Sequence, residues 1–191
     1  NNVSAHFQQA NASVGSEFSE MKVYLLSRLL WNPNADVAQM TEEFLKGYYG
    51  KAASWIKKYI VHLESELKKS GDGLDIYGHP TSHQNSFLSQ ANINDYNAMF
   101  DNAEKASQND PAQLLHVKTA RLPLQFAIME IGKNDMFGPR GWYAEKSGDF
   151  TVIPEKVQMI EDFYSVCQQA NVDHLNESGL TPKSYYESTK R

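Results

Sequence analysis

Between Glu20 and Ile60 the chain reads EMKVYLLSRLLWNPNADVAQMTEEFLKGYYGKAASWIKKYI, three amphipathic segments broken at only two joints. Apolar residues that recur every three and four positions share one face only in a helix, so this stretch commits the chain to a helical fold. In the first segment Phe18, Met21, Leu25 and Leu29 form a stripe that Leu26 and Leu30 widen, which predicts a helix buried on more than one side. Ser16 is its expected N-cap, with Glu17 and Glu20 in the first turn. Asn32-Pro33-Asn34 closes it, because the residue before a proline disfavours the helical region. Asp36 then caps a second helix that turns Val37, Met40, Phe44 and Tyr48 inward and stops at Gly50. A third, from Lys51 to Lys69, carries Ala52, Ile56, Tyr59, Ile60, Leu63 and Leu67 on its stripe, with Trp55 alongside.

The remaining chain follows the same grammar. Residues Asn1 to Gly15 are polar and aperiodic, so the expected organisation is an entry segment over residues 1–16 and a helical domain over residues 17–191. Ser70 to Gln90 is a glycine-punctuated loop. A fourth helix is expected from Asn92 or Asn94 to Gln108, burying Ile93, Tyr96, Met99, Phe100 and Ala103. Asp110-Pro111 starts a fifth, running to Gly132 with Val117, Ala120, Leu124, Ile128 and Ile131 inward; Pro123 inside it is expected to kink it. Asn134 to Ile153 is a second long loop. Pro154 opens a sixth helix with Val157, Ile160, Tyr164 and Cys167, and Thr181-Pro182 starts a short terminal one. The expectation is an all-α fold, an irregular antiparallel bundle of six to seven helices with two long loops. Short β pieces fit only at Val3 to Phe7 and at Phe150 to Ile153.

Composition narrows function by exclusion. The chain has 191 residues, 41% hydrophobic and 21% charged, the balance of a globular domain. Its net charge is -5, and no basic run offers a phosphate-neutralising patch, so nucleic acid is not an expected partner. No apolar run has the length of a membrane span. The single Cys167 excludes an intrachain disulfide and, among Phe163, Tyr164 and Val166, reads as a buried structural thiol. The sequence opens at Asn1 without an initiator Met, so a mature form or a piece of a longer protein is expected.

Few residues carry the pattern of a reaction. His79 and His83 are four apart, but Pro80 and the flanking glycines put them in a loop, and a metal site needs at least a third ligand. Asp72-Gly73-Leu74-Asp75 lacks the alternating ligands and closing Glu of a calcium loop. Glu42-Glu43, Glu64-Glu66 and Glu161-Asp162 fall on polar helix faces, whereas glycoside hydrolysis needs carboxylates on opposite sides of one bond. No catalytic residue, metal ligand set or cofactor is therefore assigned. Two clusters suit sugar contact. Arg140, Trp142 and Tyr143 lie in an apolar loop that either stacks on a sugar or plugs the core beneath it, the plug being the favoured reading. His6, Phe7, Gln8 and Gln9 combine imidazole and amides with a ring, and serve either sugar hydroxyls or a polar linker.

Glu20-Met21-Lys22, Tyr24-Leu25-Leu26, Leu29-Leu30-Trp31-Asn32-Pro33, Asp36-Val37, Glu43-Phe44 and Gly47-Tyr48-Tyr49-Gly50 together resemble a bacterial family, the domain of unknown function 4838 family. Ala120-Arg121-Leu122-Pro123-Leu124-Gln125 is similar to its helical region as well. Members are glycoside-hydrolase-like proteins of polysaccharide-degrading gut Bacteroidetes, with a TIM barrel followed by a helical C-terminal region. A barrel needs about 250 residues in eight strand–helix units, so the resemblance implies that this chain is the helical part. Residues Asn1 to Gly15 would close the last barrel strand and its loop, which places His6, Phe7, Gln8 and Gln9 on the sugar side. The catalytic acids would lie upstream, and no family catalytic residue falls on this chain. The implied partners are the upstream TIM barrel, a polysaccharide or oligosaccharide, and a second copy in a homodimer; the implied location is periplasmic or extracellular. The competing expectation is an independent carbohydrate- or protein-binding helical module that uses the Trp142 loop.

Overall fold

The structure, a computed structural model, describes Ala5 and residues 13–75 and 78–190. The candidate contacts His6, Phe7, Gln8 and Gln9 lie outside the described residues. Among the described residues seven α-helices form: α1 (Ser19–Trp31), α2 (Val37–Tyr49), α3 (Ala53–Ser70), α4 (Gln90–Ser107), α5 (Pro111–Asp135), α6 (Pro154–Gln169) and α7 (Pro182–Thr189). Short 3-10 turns join α2 to α3 at Gly50–Ala52 and occupy the first long loop at Pro80–His83. No described helix is long and apolar enough to cross a membrane.

Capping sets most of the boundaries. The Asp36 carboxylate accepts from the Gln39 amide at 3.0 Å to start α2, and the Asp110 carboxylate from the Gln113 amide at 3.1 Å to start α5. Thr181 and Ser184 form a reciprocal capping box at α7, with Pro182 in the first turn. α1 begins differently from the Ser16 cap expected. Phe18 sits in the left-handed region at φ 48° as the residue before the helix, and no side chain caps it. That conformation costs a bulky residue about 1 kcal/mol, which burial of the ring against Tyr59, centroids 6.0 Å apart, offsets.

Two apolar cores share one wall, helix α5. On one side Val117, Ala120, Leu124 and Ile131 pack with Leu45, Tyr49, Ile56, Tyr59, Ile93, Tyr96 and Phe100 from α2, α3 and α4. On the other, Leu122 and Met129 pack with Ile160, Phe163 and Cys167 of α6, Tyr185 of α7 and Trp142. The stripe expected on α5 is the face toward the first core; the second face does not stand out in the periodicity, because a helix buried on opposite sides has no polar face to mark it. α5 also continues unbroken through Pro123. Cys167 is fully buried, and burial pushes its thiol up to about 12.

The fold is predominantly helical rather than all-α. Strands β1 (Tyr143–Lys146) and β2 (Asp149–Val152) pair antiparallel inside the second long loop, with Tyr143 opposite Val152 and Lys146 opposite Asp149. Ser147 and Gly148 turn the corner with φ 58° and 88°, both in the left-handed region that a two-residue hairpin turn of type I′ requires.

Candidate functional site

The second long loop is anchored to the helices through Trp142. Its indole is 3% exposed and its Nε1 donates to the Met129 carbonyl of α5 at 3.0 Å. Gly132 makes room for it: a Cβ there would stand 2.8 Å from that Nε1 and 2.8 Å from the Arg140 carbonyl. Trp142 thus occupies the plug position, and stacking of a sugar on its face, the other sequence reading, has no room in this arrangement. Arg140 is engaged as well, its guanidinium donating to the Gln84 carbonyl at 3.0 Å and side-chain oxygen at 3.2 Å across the two loops. Tyr143 is half-buried, its ring 5.8 Å from that of the exposed Phe137. The three residues are neighbours in the chain, yet they do not converge on a common cleft.

The loop histidines both make polar ties, His79 with its side chain 49% exposed and His83 largely covered. His83 Nδ1 lies 2.8 Å from Asp72, which also accepts from the Ser86 hydroxyl at 2.5 Å, and the His83 ring packs 4.8 Å from Phe87. Both His83 and Ser86 meet the carboxylate and neither activates the other, so this is a loop clasp and not a nucleophile–base pair. His79 Nε2 lies 3.1 Å from Glu130, whose other oxygen accepts from Tyr185 at 2.7 Å and Lys133 at 2.9 Å. Burial alone would raise the Glu130 carboxyl, but the Tyr185 hydroxyl, Lys133 and His79 outweigh it and hold it below its ordinary value. Among the described residues no three His, Cys, Asp or Glu side chains gather as metal ligands would. The carboxylates set aside in the sequence pair at the surface: Glu42 with Lys57, Glu64 with Lys68, Glu66 with Lys69, Glu161 with Lys190.

A pocket of about 370 Å³ opens between α5 and the link from α6 to α7, lined by Phe126, Phe163, His174, Asn176, Glu177 and Glu17. Residue 17 as a whole is exposed, while its carboxylate accepts from the Tyr59 hydroxyl at 3.3 Å. Burial, only partly opposed by Tyr59 and Lys22, raises the Glu17 carboxyl above its ordinary value. A raised carboxyl is a proton donor, but hydrolysis also demands a base or nucleophile held across the same bond. Sequence reasoning passed over Glu17 as a first-turn acid, and only its contact with Tyr59, 42 positions on, marks it.

The surface that stands apart is α1. Its inner line packs on α2, with the Tyr24 ring 5.3 Å from Phe44. Among the described residues its outer line is open at both ends: Val23 is 49% and Leu30 57% exposed, seven positions and two turns apart, with half-buried Leu26 between them. The helix expected to be buried on more than one side is covered, among the described residues, on one. Residues 1–61 match the family model Domain of unknown function (DUF4838). The DUF4838 match spans under half of the 191 residues and takes in α1, α2 and the first part of α3. No curated protein and no solved structure matches the chain.

Proposed function

We propose that this chain is the C-terminal helical accessory domain of a polysaccharide-degrading, glycoside-hydrolase-like protein, that it buttresses an upstream TIM barrel through the outer line of α1, and that it is not catalytic alone. The observation that carries the reading is the apolar line of exposed Val23 and Leu30, with half-buried Leu26 between them, on a helix inside the DUF4838 match. A helix with apolar residues on two sides is the pattern of an element packed between two bodies, and exposed apolar lines of this kind mark interaction surfaces. The glycoside-hydrolase context comes from the family resemblance. The same proposal sets the protein in the periplasm or outside the cell. It keeps His6, Phe7, Gln8, Gln9 and Tyr143 as the sugar contacts, and treats a homodimer through α1 as the competing use of that face.

The test compares this chain with a version extended upstream through the barrel, on aryl glycosides and plant polysaccharides. Activity is expected only in the longer protein. Hydrolysis by the 191 residues alone would overturn the reading. Val23→Asp with Leu30→Asp should leave the short chain's stability within about 0.5 kcal/mol, since both sites are exposed, and should loosen the barrel in the long one, read as a lower melting temperature.

A further inference from the structure

The cleft between α1 and α2 has a chemistry that a buttress does not use. It encloses about 430 Å³, walled by Arg28 and Trp31 of α1, by Gln39 and Glu43 of α2 and by the cap Asp36, with buried Met40 among its lining residues. Trp31 is 93% exposed, on the last turn before Asn32-Pro33 ends the helix. Among the described residues no ring or cation stacks on it. It does not belong to the outer line of α1. Residues 23, 26 and 30 share one line, and positions 28 and 31 lie on the side toward α2, as their place in the cleft records.

The polar walls are held in place before any ligand arrives. Glu43 accepts from the Gln39 side-chain Nε2 at 3.0 Å, and its other oxygen lies 3.6 Å from the Arg28 guanidinium and 3.5 Å from the Tyr24 hydroxyl. Arg28 in turn lies over the Tyr24 ring, 4.8 Å from its centroid. The charges of Arg28 and Glu43 therefore answer one another, and one Asp36 oxygen accepts from the Gln39 backbone N–H. An anionic ligand finds no uncompensated cation there. Arg28, with five N–H donors, and Glu43, with several lone pairs, still have hydrogen-bonding capacity to offer. A flat apolar face beside fixed donors and acceptors is complementary to a ring with one apolar face and an equatorial belt of hydroxyls.

We infer that the α1–α2 cleft is a binding subsite for a neutral pyranose of an oligosaccharide, with Trp31 as the stacking platform and Arg28, Gln39 and Glu43 as the hydroxyl partners. The inference stands on the cleft and does not rest on the buttress role. The experiment follows tryptophan emission of the 191-residue chain during titration with cellohexaose, xylohexaose and mannohexaose. A saturable shift with at least one of them is expected. Trp31→Ala should abolish it and Glu43→Gln should weaken binding about tenfold, the loss of about 1.4 kcal/mol, with both melting temperatures unchanged. No saturable shift with any of the three overturns the inference, as does equal affinity in Trp31→Ala measured by calorimetry. A response to a lysine-rich peptide alone overturns it in favour of a cationic partner. Val23→Asp with Leu30→Asp should leave this titration untouched, so failure of docking and failure of binding are read separately.

Discussion

Trp142 and Glu130 show how single side chains hold the second half of this molecule. Trp142 closes the smaller core and satisfies its own indole N–H on the Met129 carbonyl. Trp142→Ala should therefore cost about 3–5 kcal/mol, the usual result of emptying a large buried aromatic site, measured by denaturant unfolding. A loss below 1 kcal/mol, an order-of-magnitude surface value, would deny the plug. Glu130 ties the first long loop to α5 and α7 through His79, Lys133 and Tyr185. A carboxyl held below its ordinary value of 4.5 adds stability above that value, and the contribution disappears as pH falls through the lowered one. Glu130→Gln should then be less stable at neutral pH by about 2 kcal/mol, the worth of charged hydrogen bonds. The gap should close on acidification below 4.5, seen as converging melting temperatures. Parallel curves at every pH would show that the charge does not matter there.

Among the elements, the hairpin is the most loosely coupled. β1 and β2 are exposed along almost their whole length, and an isolated two-stranded ribbon is marginal in water. Gly148 stands at φ 88° with nothing within 4 Å of where a Cβ would go, so Gly148→Ala adds backbone strain and no clash. The cost is about 1 kcal/mol and should appear as faster amide exchange in the hairpin alone, with the global melting temperature unmoved. The same exposure explains why the hairpin is hard to read in the sequence. With neither face buried nothing imposes a period of two, and only the stretch from Phe150 to Ile153, which overlaps β2, reads as a strand. Helix starts with a side-chain cap are legible: Asp36, Asp110 and Thr181 mark them in the sequence and cap them in the structure. The start of α4 is displaced to Gln90 because Ser89, not Asn92 or Asn94, supplies the cap within a run of polar residues that all qualify. α1 is misread at both levels, its start because Phe18 uses a backbone conformation no sequence rule assigns to phenylalanine, its burial because apolar residues do not say which body covers them. The ties of Glu17, Asp72 and Glu130 reach 42, 11 and 55 positions along the chain, beyond any local pattern.

At the scale of the whole molecule, α5 makes the two cores one unit. Leu124 faces the larger core and Leu122 the smaller, two positions apart on the same helix. Leu122→Ala and Leu124→Ala should each cost about 2–5 kcal/mol, and each should shift a single calorimetric transition without splitting it. Separation into two transitions would show that the halves fold independently. The lone thiol adds a way to watch that coupling over time. Cys167 lies on α6 in the smaller core, out of reach of any reagent while the core is shut. At reagent concentrations where labelling outpaces reclosing, each modification event therefore records one opening of that half. If α6 and α7 come away from α5 only when everything unfolds, the modification rate will equal the global unfolding rate; a faster rate measures a partial opening in which the larger core stays intact. The protein carries, in one buried sulfur, a native stopwatch for its own breathing.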